Sequence, residues 1–238
     1  MEQAKNITFT DDTDDTEFYF YIRGHIRNSF KTDRLNTFVK LLKLHFPNIK
    51  FILQTWKTQE CKNGESWKHI HENNTIISKS TIENYFKDKN ITDQCLIIDE
   101  ETIELVGSTY GTIGKTSCPI KGWKNMWYGI YKGLEHLDIK SSNNVIVSFR
   151  YDYFDIFQST YINEENIIQF IKNNLDNNNI QFIKYKCAGT DNLYIGKYNK
   201  IKALVEKFHF NLEDILIMNE NIIHQELLVN IIAKQYED

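Results

Sequence analysis

The apolar run Val145-Ile-Val-Ser-Phe149 delivers Arg150 and, two residues later, Asp152. Side chains two apart on an extended backbone point to one side, so a guanidinium and a carboxylate would leave the same strand end together. That pair suits a diphosphate, because a guanidinium meets phosphate oxygens in a fixed fork and a carboxylate carries a divalent cation. The plain alternative is a salt-bridged strand end. A second carboxylate, Asp191, stands just ahead of a stretch read as helical. There it either caps backbone N–H groups or, if accessible, takes a proton from a hydroxyl. Glu226, read as mid-helix, is the runner-up for that proton. Other apolar runs end in polar groups too: Arg23-Gly24-His25, Gln54-Thr55-Trp56 and Asp99-Glu100-Glu101.

Several patterns fail on inspection. Gly107 to Thr116 approaches a phosphate-binding loop, but G-x-x-x-x-G-K-[ST] requires glycine where Thr109 stands. The seven histidines, among them the alternating His69 and His71, form no H-E-x-x-H or H-x₃-H pair, which argues against a dedicated zinc site. No G-x-S-x-G elbow marks a serine hydrolase. The four cysteines contain no C-x-x-C pair, so a zinc ribbon or thioredoxin-like motif is excluded.

The elements that must position these groups follow from periodicity. Strands are expected at 18–22, 50–54, 94–98, 144–149 and 180–185, and helices at 32–46, 81–87, 123–137, 163–175, 197–208 and 220–234. Strands alternating with helices predict an α/β fold with a mostly parallel central sheet, in which ligands bind beyond the carboxyl ends of strands. Ten Gly and two Pro in 238 residues leave a stiff scaffold, yet four of the glycines fall between 107 and 122, in a long loop. Residues 1–17 read as an acidic, flexible leader and 18–238 as one domain. With 28 Lys+Arg against 32 Asp+Glu the net charge is −4, which argues against a nucleic-acid partner. The absence of a secretory start and of any long apolar run predicts a soluble protein of a reducing, cytoplasmic compartment, with no transmembrane segment.

Taken in order, these residues resemble the small glycosyltransferases of GT-A type found in bacterial surface-polysaccharide loci and in giant DNA viruses. The likeness rests on Arg23-Gly24-His25-Ile26-Arg27 after the first strand and Thr55-Trp56 after the second. It continues through Asn125-x-x-Tyr128 on a helix, Arg150-x-Asp152, Asp191-x-x-x-x-Gly196, and Glu226 on the last helix. The resemblance implies a GT-A-like (Rossmann-like) three-layer α/β/α sandwich that transfers sugar from a nucleotide-sugar donor to a glycan or glycoprotein acceptor, in a host cytoplasm or virion if viral. It implies donor contacts from Gly24, His25, Arg27, Thr55, Trp56, Asn125, Tyr128, Arg150 and Asp152, and catalysis by Asp191 or Glu226. R-x-D stands where most such enzymes have Asp-x-Asp. That leaves two routes open: Mn²⁺ or Mg²⁺ on Asp152, or metal-independent action in which Arg150 carries the charge. Two other readings stay beside it: an NTPase or nucleotidyltransferase using the 107–116 loop, and a non-catalytic glycan-binding relative.

Overall fold

The computed structural model describes residues 16–61, 65, 73–137, 139, 141–155, 163–185 and 188–237. Residues 1–15 of the expected leader, Trp67, His69, His71 and Cys187 lie outside them.

Phe18-Tyr-Phe-Tyr-Ile-Arg23 forms β1, and its continuous apolar character has a direct cause. Phe20 and Ile22 are buried on one face while Tyr19 and Tyr21 are buried on the other, as a strand covered on both sides requires. The strands β2 (Lys50–Trp56), β3 (Cys95–Ile98) and β4 (Val145–Arg150) run parallel to it. They are followed by β5 (Gln181–Tyr185) and β6 (Ala188–Lys197), and β6 is antiparallel to both of its neighbours. Among the described residues the strands make one sheet in the order β3-β2-β1-β4-β6-β5. The chain builds outward from β1 to β3, then returns to place β4 on the other side of β1. The β1/β4 seam is therefore the switch point, where the connections diverge and leave a crevice.

Helices cover both faces. The layer against Phe20, Ile22 and Phe149 includes α1 (Arg34–His45), α2 (Lys79–Phe86), the single turn α3 (Lys89–Thr92) and α5 (Glu164–Asn174). The opposite layer contains α4 (Ile120–Glu135), α6 (Tyr198–Phe210), α7 (Leu212–Met218) and α8 (Gln225–Ala233), packed on Tyr21, Ile146 and Tyr194. Trp127 stacks on Phe208 at 4.3 Å between α4 and α6, a core position. The chain thus forms the expected α/β class with a mostly parallel central sheet between two helical layers.

Three expectations need correction. Residues 191–196 do not open a helix; they lie within β6, and the helix begins at Tyr198. The last helix starts at Gln225, and α7 precedes it where no element was foreseen. Glu17 is not part of a loose leader, since its N–H donates to Asn144 Oδ1 (2.8 Å) and its carbonyl accepts from Val145 (2.9 Å).

Candidate functional site

Strand register does what spacing alone could not. Arg23 at the end of β1 is paired with Gln54 on β2 and Arg150 on β4, so three polar side chains stand abreast across three parallel strands. They face the layer of α4 and α8, because Tyr21 and Tyr19, two and four residues before Arg23, face that layer as well. A cleft opens there at the carboxyl edge of the sheet. Its floor holds Arg23, Gly24, His25, Arg27, Gln54, Trp56 and Arg150, and one wall is Asp191-Asn192 of β6. Gly122, Trp123, Asn125, Met126 and Ile130 of α4 form the roof, and Gln225-Glu226 close the side. The first turns of α4 and α8 both reach the cleft, bringing the positive ends of two helix dipoles to it.

The helix α4 comes close to the sheet because two of its three glycines, Gly129 and Gly133, face it. A Cβ on Gly129 would lie 3.0 Å from Trp56 Cζ2, and one on Gly133 would lie 2.0 Å from the Tyr21 hydroxyl. That hydroxyl donates to the Gly129 carbonyl at 3.1 Å, and burial raises its pKa well above the ordinary value. Close packing here is what lowers Trp123 and Asn125 onto the cleft.

The charges are arranged in a chain. Arg150 donates from Nε and Nη2 to the two oxygens of Asp152 (2.8 and 2.7 Å) and from Nη1 to Asn192 Oδ1 (3.1 Å). Arg27 donates from Nη1 to the same Asp152 and from Nε to Glu60 at 2.9 Å. Burial works against the Arg27 charge, but Asp152 and Glu60 outweigh it and hold the guanidinium above its ordinary pKa. Arg27 also adopts φ +52°, an uncommon backbone for a non-glycine residue. Its N–H donates to the Gln59 carbonyl and its carbonyl accepts from Gln59 Nε2. Gly24, at φ +95°, makes the preceding turn.

A second set of polar atoms has no hydrogen-bond partner among the described residues. Gln54 Oε1 accepts from the Gly24 N–H (3.2 Å), which leaves Nε2 unsatisfied, and Asn125 Nδ2 donates to Glu65 (3.4 Å), which leaves Oδ1 unsatisfied. Trp123 Nε1 is a third. His25 stacks on Trp56 with ring centroids 5.8 Å apart, and its Nε2 lies 3.1 Å from Glu100 Oε1. Buried atoms of this kind each cost on the order of 1–3 kcal/mol, a cost that a hydrogen-bonding ligand would remove. Two thiols also line the cleft, Cys61 and Cys118, and burial pushes each up to about 12, so neither supplies a thiolate near neutral pH.

Of the residues expected at the site, Gly24, His25, Arg27, Trp56, Asn125, Arg150, Asp191 and Glu226 do line this cleft. Asp152 lies directly beneath them through its two arginines. It is 2% exposed, and its partnership with Arg150 arises in a 3₁₀ turn over Tyr151–Phe154, not from alternation along a strand. Glu226 sits in the first turn of α8, not mid-helix. Tyr128 faces away, its ring 5.6 Å from His209 of α6, and Thr55 is buried outside the lining. The 107–122 loop contributes only Cys118 and Gly122; Gly114 packs against Ile222, and Lys115 is exposed outside the cleft. Asp152 does not fit a cation ligand, because both its oxygens receive guanidinium N–H groups. Among the described residues no three His, Cys, Asp or Glu side chains gather as a cation site. The sequence marks Arg23, Gln54 and Glu100 as polar groups at the ends of apolar runs and Trp123 as an aromatic that could stack on a base or sugar, whereas Glu65 and Asn192 were not foreseen.

No family model matches the sequence, and no curated protein matches it. Among solved structures, the crystal structure of 4-diphosphocytidyl-2C-methyl-D-erythritol synthase is similar over 95% of this chain and 100% of that one, with a TM-score of 0.40 and 6% identity.

Proposed function

We propose that the chain is a nucleotide-dependent transferase that binds the diphosphate of a nucleoside-diphosphate sugar in this cleft and passes the sugar to a hydroxyl acceptor. The observation that supports this reading is the meeting of Arg23, Arg27 and Arg150 at the β1/β4 switch point, under the first turns of two helices. Guanidiniums and helix N-termini stabilise charge that grows on a leaving diphosphate. Asp191 on β6 is the base in this scheme, with Glu226 across the cleft as runner-up. The acceptor O–H gives its proton to the carboxylate, the oxygen attacks the anomeric carbon, and the bond to the diphosphate breaks with its electron pair leaving on phosphate. Because Asp152 is engaged by two arginines, the charge is carried by the guanidiniums and not by a cation on that carboxylate. A transferase using Lys115 finds no support in the geometry, since that side chain lies outside the cleft.

The test is thermal unfolding with UDP-, GDP- and dTDP-sugars and with nucleoside triphosphates, each with and without Mn²⁺. At about 100 times Kd a ligand adds about 2.7 kcal/mol, which for a chain of this length corresponds to roughly 5–10 °C. A shift with a nucleotide sugar, followed by release of free nucleoside diphosphate when acceptor is added, is the expected result. A shift with triphosphates alone would replace sugar transfer by nucleotidyl transfer, and no shift with any nucleotide would end the proposal.

A further inference from the structure

We infer that Arg23, and not the Arg150–Asp152 pair, takes the anionic part of the ligand. This rests on the reading of the cleft as a diphosphate site and assigns the cation that reads the phosphate. The three guanidiniums differ in what already occupies them. The bidentate edge of Arg150 is filled by Asp152, and its remaining amino group is given to Asn192. Arg27 is shared between Glu60 and Asp152. Glu60, Arg27, Asp152 and Arg150 therefore form a series of alternating charges that sums to zero and pulls less strongly on a ligand anion than an unpaired guanidinium does.

Arg23 is in the opposite situation. It is 1% exposed, and its hydrogen bonds go to neutral acceptors: Nε to Ser148 Oγ at 2.6 Å and Nη2 to the backbone carbonyl of Asp191. Its guanidinium carbon lies 5.5 Å from the centre of the Tyr194 ring. Among the described residues no carboxylate comes within ion-pair distance of it, although the Asp191 side chain lines the same cleft. A full charge held in a low-dielectric site by dipoles alone is costly unless a counter-charge arrives. Arg23 also stands at the centre of the floor, between Gln54 and Arg150 in register. A phosphate oxygen meeting it supplies the missing anion by charge-assisted hydrogen bonds. The same arginine donates to the Asp191 backbone carbonyl, so a phosphate on Arg23 lies beside the strand that brings Asp191 to the cleft. The ligand class is a phosphorylated polyhydroxyl compound, with the diphosphate over β1.

The experiment is calorimetric titration of the full chain with inorganic pyrophosphate and with UDP, both in EDTA, for wild type, Arg23→Lys, Arg23→Gln and Arg150→Lys. Near-ultraviolet circular dichroism would confirm the native fold of each variant. Arg23→Lys keeps the charge but loses the planar fork, so it is expected to fold and to weaken binding at least tenfold. Arg150→Lys is expected to weaken it less than threefold, and Arg23→Gln, if folded, to abolish it. The reverse ranking, or wild-type affinity in Arg23→Lys, overturns the assignment while leaving the cleft as a diphosphate site. Failure of wild type to bind either probe overturns the reading of the cleft itself.

Discussion

Arg27, pinned at φ +52° between Glu60 and Asp152, shows how a residue's neighbours decide its chemistry. Taken from its place in the chain, Asp152 looks like a cation ligand; in place, it is the counter-ion of two arginines. The spacing of Arg150 and Asp152 was legible because both follow one apolar strand. The partnership with Arg27 was not, because it joins positions 125 residues apart. The two cleft thiols obey the same logic. Cys61 and Cys118 owe their raised pKa first to burial, and nearby carboxylates, Glu60 for one and Asp191 for the other, add to it. A thiol is protonated below its pKa, so at pH 7.5 both are far on the unreactive side. Iodoacetamide at that pH, read by mass mapping of each cysteine, is expected to leave both unmodified in the native chain and to modify both in urea, with native labelling rising only as pH climbs. Rapid labelling of Cys118 at pH 7.5 would instead mark a thiolate in the cleft and add a nucleophile that the proposed reaction does not use.

Among the elements, α4 carries the largest share of the site, and its two glycines that face the sheet, Gly129 and Gly133, let it do so. Alanine at Gly133 should gain about 1 kcal/mol of helix propensity. The added carbon would nevertheless fall 2.0 Å from the Tyr21 hydroxyl and 2.6 Å from its ring carbon. Overpacking of that kind costs roughly 1–3 kcal/mol, and the Tyr21 bond to the Gly129 carbonyl would be strained as well. Gly133→Ala is therefore expected to lower the urea midpoint, where propensity alone would raise it. An unchanged or higher midpoint would mean that α4 can lift off the sheet without loss. The element reading succeeded where one signal dominated, as in β1, β4 and α4. It failed at β6, whose Gly189, Asp191, Asn192 and Gly196 depress strand propensity. There the pairing with β4 on one side and β5 on the other overrides the local preference. That one miss moved Asp191 from a presumed helix start to a strand facing the cleft, which changes what its carboxylate can reach.

For the whole molecule, the question is whether residues 18–238 unfold as one unit, as their length and the single sheet shared by both helical layers suggest. The two cores lie on opposite faces of the same sheet. Phe20 and Ile22 point into one while Tyr19 and Tyr21 point into the other, along a single strand. Loss of one layer strips one face of β1, β2 and β4, and those strands then have no reason to stay paired beneath the other layer. With Trp67 replaced by Phe, the three tryptophans among the described residues give a means of watching one side. Trp123 and Trp127 belong to the α4-side core, and Trp56 lies against Gly129 of α4. Phe38 sits in the opposite core, fully buried, with ring centroids 5.1–6.0 Å from those of Phe20, Phe149 and Phe154. Phe38→Ala should cost about 3–5 kcal/mol. If the sheet couples the layers, the tryptophan-fluorescence midpoint in urea falls by the same amount as the far-ultraviolet circular dichroism midpoint, although no tryptophan among the described residues lies in the core that was cut. Coincident midpoints are the mark of a single transition. A fluorescence midpoint that stays at its wild-type value while the dichroism midpoint falls would show that the α4 layer, and the cleft it roofs, can persist without the other half of the molecule.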